Sequence, residues 1–367
     1  MTGIMDTKTV KQILSELLEF KTVTGNHAEA GDCLDYAEEY LKASGLHINR
    51  SISNGFPALV ATSQATKKPK VLLQAHIDVV AAPDHRFKLL EQDGQLIGRG
   101  AYDMKFAAAV FNKVAMELAS DLAKYDFGII LTSDEEIGGV NGVKALLDDG
   151  YRAEVCILPD AGDNWHIETS HKGSWLGRLV ATGKNAHGSR PWEGENAINR
   201  LVDAICEIKA MFEEQHLDSD TFGINQIEGG TAINQVADHA EATFDLRFIN
   251  QDSYDNLHQR ITSIARENAV DIETIREISI CETDTKNPLV ASFLSVAEEV
   301  HGKPLGEIRS LGTSDAYHFA EYSIPTILSR PLGGSAHADD EWIDAAGLEE
   351  YCQLIKSYVV KEAKIIN

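Results

Sequence analysis

Histidines and carboxylates follow short apolar segments of this sequence, at positions where such side chains could bind a metal ion. His76 and Asp78 come directly after the apolar segment 71–75. Because alternate residues of an extended chain point to the same side, one of the two can ligate a metal while the other orients it. An isolated pair of this kind is more often structural, so a metal site needs further ligands to support it.

The motif GRGAYDMK at residues 98–105 contains glycines that allow a close approach of the backbone, followed by Asp103. Asp103 lies just before a helix that we predict to begin near residue 105. Taken alone, it is better explained as an N-cap aspartate, whose carboxylate accepts a backbone N–H of the first helical turn. A phosphate-binding loop is a poorer explanation, because the GxxxxGK[ST] pattern is missing.

Three consecutive acids, Asp134, Glu135 and Glu136, follow the apolar segment 127–132, and Asp160 follows the segment 155–158. Adjacent carboxylates repel each other and resist desolvation unless a cation or a proton relieves them. A solvated surface would relieve them too, and that alternative stays open for the cluster alone. His337 lies in a later segment, residues 333–342, which is rich in glycine and acids.

Together these clusters supply two histidines and several carboxylates, most of them at successive strand ends of one predicted sheet. In open α/β sheets, ligands bind beyond the carboxyl ends of the strands. A mixture of nitrogen and oxygen ligands suits zinc, cobalt or manganese better than calcium or an iron–sulfur centre. The sequence therefore predicts a site for one of these three metals.

Buried strands and helices alternate in the two outer parts of the chain. The segments 71–75, 127–132 and 155–158 are mostly apolar, as strands buried on both faces are. Amphipathic helices are predicted at 28–44 and 105–119. Strands separated by helices of this length favour an α/β fold with a mostly parallel sheet.

The pattern changes near Trp175, where half-exposed strands replace buried ones. Strand 241–248 alternates apolar residues on one face with Asp245 and Arg247 on the other. After Asn287 the first pattern returns. We therefore predict a catalytic α/β domain, residues 1–174 and 285–367, interrupted by an inserted α+β domain, residues 175–284.

Charge and cysteine usage exclude several classes of partner. Acidic residues outnumber basic ones by 57 to 33, and the resulting charge of −24 repels nucleic acid. No apolar run approaches the roughly 20 residues that span a bilayer, so no membrane partner is expected. The five cysteines are scattered, and residues 1–8 lack the layout of a secretory signal. We expect a cytoplasmic protein with reduced thiols.

The order of these motifs resembles the family of acetylornithine deacetylase, succinyl-diaminopimelate desuccinylase and glutamate carboxypeptidase. Its members are co-catalytic zinc exopeptidases and deacylases. They carry an HxD after a strand, a GRGxxDMK, a paired Glu-Glu, a later acid, and a C-terminal histidine before an acidic stretch. All five features occur here in that order, and the resemblance covers essentially the whole chain.

The resemblance implies two divalent metal ions per chain, with Zn²⁺ as the first choice and Co²⁺ or Mn²⁺ as alternatives. Asp103 would bridge the two ions. His76 and Asp160 would complete the first set of ligands, and Glu136 and His337 the second. Three protein ligands for each ion leave an open position, as catalysis requires.

The resemblance also implies an amide hydrolysis. Glu135 would be the general base that takes a proton from water, and Asp78 would fix the orientation of His76. The substrate would be a small peptide or an N-acyl amino acid, cleaved next to a free carboxylate. Asp160 is shorter than the glutamate usual in the deacylases and resembles the peptidase branches of the family, which slightly favours a peptidase.

The inserted domain carries further resemblances. His187, in a stretch similar to the family's AHxxxPxxGxNA, would reach the active site of a neighbouring subunit, which implies a homodimer formed through this dimerisation, or lid, domain. Asn234 and Arg247 resemble a substrate-carboxylate site, and Gly312 and Thr313 a loop of the same pocket. A hydrogen-bonded loop histidine and a surface salt bridge are the alternatives for His187 and Arg247.

A second hypothesis is a non-catalytic binding or interaction protein on a degenerate hydrolase scaffold. The complete set of candidate ligands argues against it. So does Glu135, because a degenerate site has no reason to keep the base.

Overall fold

The computed structural model describes residues 8–212, 215–310 and 312–365. The chain divides into two compact units. The major unit comprises Met1–Ser170, Glu282–Ser310 and Ser314–Asn367, and the inserted unit comprises His171–Cys281 and Leu311–Thr313. The domain boundaries predicted from the sequence lie a few residues after these, at positions 174 and 284.

Helices and strands alternate along the described residues. The helices are α1 (Val10–Glu19), α2 (His27–Ala43), α3 (Lys105–Leu118), α4 (Ala145–Asp148), α5 (Ala197–Lys209), α6 (Gln251–Glu267), α7 (Pro288–His301), α8 (Ala316–Glu321) and α9 (Ala345–Glu362). The strands are β1 (His47–Ser53), β2 (Phe56–Thr62), β3 (Val71–His76), β4 (Leu90–Gln92), β5 (Gln95–Ile97), β6 (Phe127–Thr132), β7 (Val155–Ile157), β8 (His166–His171), β9 (Gly173–Thr182), β10 (Thr221–Gly229), β11 (His239–Phe248), β12 (Val270–Ile278), β13 (Cys281–Glu282), β14 (Gly306–Ser310), β15 (Thr326–Ile327), β16 (Gly333–Gly334) and β17 (Trp342–Asp344).

The central sheet of the major unit has the strand order β1-β2-β6-β3-β7-β15. β3 pairs in parallel with both β6 and β7, and β15 pairs in parallel with β7. β1 and β2 form an antiparallel hairpin at one edge. Every residue of β3, β6 and β7 is buried, which explains why their sequences are mostly apolar. The predicted α/β fold with a mostly parallel sheet is confirmed.

Helix α3 lies in the core of the major unit, packed against α1, α2 and α9. Phe106 in its first turn is fully buried, stacks on Tyr102 and makes an edge-on contact with the ring of Tyr351. This large side chain helps to fill the core of the major unit.

A small second sheet has the order β16-β17-β5-β4. Its antiparallel ladder pairs Trp342 with Ile97 and Ile343 with Leu96. This pairing brings the segment before Asp103 beside the segment after His337, although the two are far apart in the sequence. It was not predicted, because each of its strands has only two or three residues.

The inserted unit is an antiparallel sheet of order β10-β11-β9-β12, packed against helices α5 and α6. Phe244, Leu246 and Phe248 of β11 point into its core, as the alternating sequence predicts. The inserted α+β architecture is confirmed. Its role in dimerisation stays a prediction.

The state of the cysteines and the character of the helices bear on the expectations of reduced thiols and of no membrane partner. None of the five cysteines forms a disulfide among the described residues, and four of them are buried. Among the described residues, no helix combines the length and the apolar character that a membrane crossing requires.

Candidate active site

Parallel pairing gathers the predicted ligands at one edge of the central sheet. β3 ends at His76, and β6 ends just before the turn that carries Glu135 and Glu136. Asp160 follows β7 after two residues. Because these three strands are parallel neighbours, their carboxyl ends meet at the same edge.

Asp103 lies between two histidines. Its Oδ1 is 3.2 Å from Nε2 of His76, and its Oδ2 is 3.1 Å from Nε2 of His337. The N-cap of α3 is Met104, and no side chain caps this helix. The explanation of Asp103 as an N-cap aspartate is therefore wrong, because both carboxylate oxygens are turned to imidazole nitrogens.

Two groups of side chains could each hold a metal ion. The first contains His76, Glu135 and Asp160, and the second contains Asp103, Glu136 and His337; the ligand atoms of each group lie within 4.8 Å of one another. Asp103 is thus a member of the second group, and its Oδ1 also contacts His76, the histidine of the first group.

The donor atoms fit the metals expected from the sequence. Each group offers one imidazole nitrogen and carboxylate oxygens, the ligand types that zinc binds. In the second group, Nε2 of His337 lies 3.2 Å from Oε2 of Glu136. The other carboxylate oxygen of Glu136, Oε1, is buried without a hydrogen-bond partner, so it has free capacity for a cation.

The electrostatics reflect crowded negative charge. Burial raises the pKa of Glu135 well above its usual value, and the nearby charge of Asp160 raises it further. Burial, with the charge of Asp103, raises the pKa of Asp160 to about 6. Hydrogen bonds to Asp103 and Glu136 raise the pKa of His337 to about 10. Carboxylates gathered in this way favour a bound cation.

Asp78 holds two of the strand ends together. Nδ1 of His76 donates to its backbone oxygen (2.9 Å) and lies 3.5 Å from its carboxylate. The same carboxylate accepts the backbone N–H groups of Glu135 (3.2 Å) and Glu136 (3.3 Å) and the hydroxyl of Thr24 (3.0 Å). The sequence predicted that Asp78 contacts His76. It did not predict the hydrogen bonds from the backbone of Glu135 and Glu136, because these depend on how β3 and β6 pair.

Two buried side chains at the site were missed by the sequence analysis. Glu341 accepts four hydrogen bonds from residues 99–103. Arg330 donates to the backbone oxygen of Tyr102 (3.2 Å) and to Asp163 (2.6 Å). No sequence signal separated Glu341 from its acidic neighbours Asp339 and Asp340.

In the inserted unit, the loops of His187 and Asn234 lie side by side. The N–H of Gly188 donates to the backbone oxygen of Asn234 (2.8 Å). Nδ1 of His187 accepts the N–H of Ser189 (3.1 Å) and lies 2.8 Å from its hydroxyl, and the ring is exposed. The structure brings these two candidate residues together on one surface of the unit.

The other candidate residues of the inserted unit are Arg247, Gly312 and Thr313. The guanidinium of Arg247 forms a forked pair with the carboxylate of Asp245, at 2.7 Å from Nε and 3.0 Å from Nη2. The ion pair that was the alternative explanation for Arg247 is therefore present. Gly312 is exposed and Thr313 is half-buried.

Comparison with known sequences decides the family. Residues 72–361 match the sequence profile of Peptidase family M20/M25/M40. The chain belongs to this family. The resemblance stated from the motif order is thereby confirmed, and membership makes the chain a metallohydrolase that acts on amide C–N bonds, with zinc as the usual metal of the family.

Individual relatives agree over almost their full lengths. Succinyl-diaminopimelate desuccinylase from Bordetella petrii is 27% identical over 362 residues, which cover 93% of this chain and 94% of that protein. The structure of aminopeptidase PepT from Bacillus cereus has a TM-score of 0.80 at 19% identity, over 97% of this chain and 98% of that chain. A tripeptidase from Staphylococcus aureus has a TM-score of 0.77 at 22% identity, over 96% and 98%. These structures share the fold.

Replacing Asp78 by alanine should lower the affinity of the site for Zn²⁺ by about 10–100-fold, because the turn at Glu135 and Glu136 loses the carboxylate that accepts its backbone N–H groups. Competition with a chromogenic chelator measures this affinity. Asp84→Ala is the matched control, since that carboxylate is exposed and pairs with Lys21 at the surface. Equal affinities of the two variants would contradict the orienting role.

Proposed function

We propose that this chain is a two-metal amidohydrolase that cleaves a peptide, or an N-acyl amino acid, next to a free carboxylate. The observation that carries the proposal is the position of Asp103, whose two oxygens face His76 and His337 at 3.2 and 3.1 Å. A single carboxylate that faces both ligand groups is suited to bridge two ions. Nothing observed favours a non-catalytic scaffold.

In this proposal, His76 and Asp160 hold one ion, Glu136 and His337 hold the other, and Asp103 bridges them. Zn²⁺ is the proposed metal, with Co²⁺ or Mn²⁺ as alternatives. When bound, the two ions polarise the scissile carbonyl and make a water molecule more acidic.

Glu135 is the proposed general base. Its Oε2 lies 3.9 Å from Nε2 of His76, whereas the neighbouring Glu136 turns to His337. Consecutive carboxylates on one tight turn thus serve different groups, which supports separate roles for them. Glu135 takes a proton from the attacking water and returns it to the departing amine, so that the leaving group departs neutral.

The inserted unit is proposed to bind the substrate carboxylate through Arg247, Asn234, Gly312 and Thr313. The planar donors of Arg247 suit a carboxylate, and a substrate carboxylate would replace Asp245 as the partner of Nε and Nη2. A homodimer formed through this unit, with His187 completing the site of the partner subunit, is part of the proposal. The exposed ring of His187 is consistent with it. The cytoplasmic location expected from the free thiols is also proposed.

The substrate class can be tested directly with the purified chain. Dipeptides, tripeptides and N-acyl amino acids, including N-succinyl compounds, are assayed in parallel before chelation, after it, and after Zn²⁺, Co²⁺ or Mn²⁺ is restored. We expect hydrolysis of one class that disappears with the chelator and returns with metal. Hydrolysis that persists after metal has been removed to below detection would contradict the proposal.

Replacing Glu135 by glutamine should lower kcat by about 10²–10⁴-fold, because the amide cannot accept the proton of water. The variant should keep the metal content of the parent chain, measured by elemental analysis. Glu154→Gln, at an exposed position, is the control. If Glu135→Gln loses an equivalent of metal, then Glu135 is a ligand of the group that it shares with His76 and Asp160, and the assignment as base is wrong.

Replacing Arg247 by alanine should raise KM for the free acid by about 10-fold or more, because a charge-assisted hydrogen bond to the carboxylate is lost. The carboxamide of the same substrate, which lacks the charge, should react poorly with the parent chain and equally poorly with the variant. Arg178→Ala, which removes another arginine of the same sheet, is the control. An unchanged KM for the free acid would remove Arg247 from the binding site.

A further inference from the structure

Glu341 is a buried carboxylate that binds the backbone on the N-terminal side of α3. Its side chain is 1% exposed, whereas Asp339 and Asp340 just before it are exposed. Oε1 accepts the N–H groups of Tyr102 (2.8 Å) and Asp103 (3.0 Å). The carboxylate thereby fixes the peptide that carries the proposed bridging ligand.

The second oxygen of Glu341 binds the start of the same loop. Oε2 accepts the N–H of Gly100 at 3.1 Å and Nη1 of Arg99 at 2.6 Å. The side chain of Arg99 is only 2% exposed, so both charges of this pair are out of water. A buried ion pair is retained at a cost in desolvation, which its hydrogen bonds must offset.

Arg99 extends this contact to the other histidine ligand. Its Nη2 donates to the backbone oxygen of His337 at 3.1 Å. His337 is 54% exposed, has a positive φ of 66°, and lies in an exposed segment that ends at Asp340. A ligand on such a segment needs an anchor, and Arg99 supplies one from the loop of Asp103.

The backbone ladder between β5 and β17 brings the pair together. The N–H of Gly98 donates to the backbone oxygen of Glu341 at 3.0 Å, next to the pairing of Ile97 with Trp342. The ion pair thus continues a strand pairing into the ligand loops. Its geometry is fixed by the sheet rather than by flexible side chains alone.

We propose that Glu341 and Arg99 are positioning residues that set the separation of Asp103 from His337. Through it they set the affinity of the group Asp103, Glu136 and His337 for its metal ion. The inference rests on the proposed two-metal function. It goes beyond that function because it predicts that the affinity for one ion depends more on Glu341 and Arg99 than the affinity for the other ion does.

The asymmetry follows from where the remaining ligands are attached. His76 is the last residue of β3, and Asp160 follows β7, so the central sheet holds both. Neither has a hydrogen bond to Arg99 or Glu341 among the contacts of the described residues. Loss of the pair should therefore weaken one metal far more than the other.

The test is a titration of the metal-free chain with Co²⁺, followed by visible absorption. The parent chain should bind two equivalents. Glu341→Gln should bind one equivalent about 10–100-fold more weakly, the usual effect of losing a group that orients a ligand, and should weaken the other by clearly less, because that ion shares only Asp103 with the pair. Arg99→Lys keeps the buried charge but loses the forked contact, and should weaken the same equivalent.

Asp340→Asn is the matched control, because it removes a charge from the same segment at an exposed position. It should bind both equivalents like the parent chain. Thermal unfolding of the metal-free variants checks that Glu341→Gln and Arg99→Lys fold. If Glu341→Gln does not fold, Arg99→Lys decides the question.

Three results would overturn the inference: two equivalents bound at parent affinity by both variants, an equal loss of both equivalents, or unfolding of both variants. The last would mean that the pair supports the fold rather than the ligand geometry. The parent chain separates this inference from the proposed function. If the parent itself binds fewer than two Co²⁺ ions, the two-metal proposal fails before any variant is considered.

Discussion

Crowding of like charge at one edge of the central sheet is the constraint on which the site depends. Asp78, Asp103, Glu135, Glu136 and Asp160 all reach this edge, and unscreened carboxylates do not stay together in a buried place. Two imidazoles and backbone N–H groups, all held in place by the fold, face these carboxylates and offset part of their negative charge. The negative charge that these donors leave unbalanced suits a bound cation. The metal dependence of the family agrees with this crowding of carboxylates.

The sequence predicts elements well where a residue pattern is local. The strands at 71–76 and 127–132 are mostly apolar because both of their faces are covered, and α3 begins where its pattern begins. The hairpin of β1 and β2 was not predicted. β1 is an edge strand without a buried residue, and only Ile48 and Ile52 of its seven residues are apolar, so its own sequence barely distinguishes it from a loop.

The same division holds at the site. His76 and the acids at 134–136 could be found because each follows a recognisable strand. Asp103 could not be separated from a helix cap without its distant neighbour His337, and Glu341 could not be separated from Asp340. In both cases the deciding contact joins residues that are far apart in sequence, through the ladder of β5 and β17.

The insertion within the major unit has a consequence for synthesis of the protein. β3, β6 and β7 precede the inserted unit, whereas β15, His337 and Glu341 follow it. A ribosome therefore completes the whole inserted unit before it supplies the last ligand and the edge strand beside β7. Until then the growing chain holds a partial sheet and an incomplete set of the proposed ligands, so we expect hydrolytic activity only after synthesis has passed residue 341.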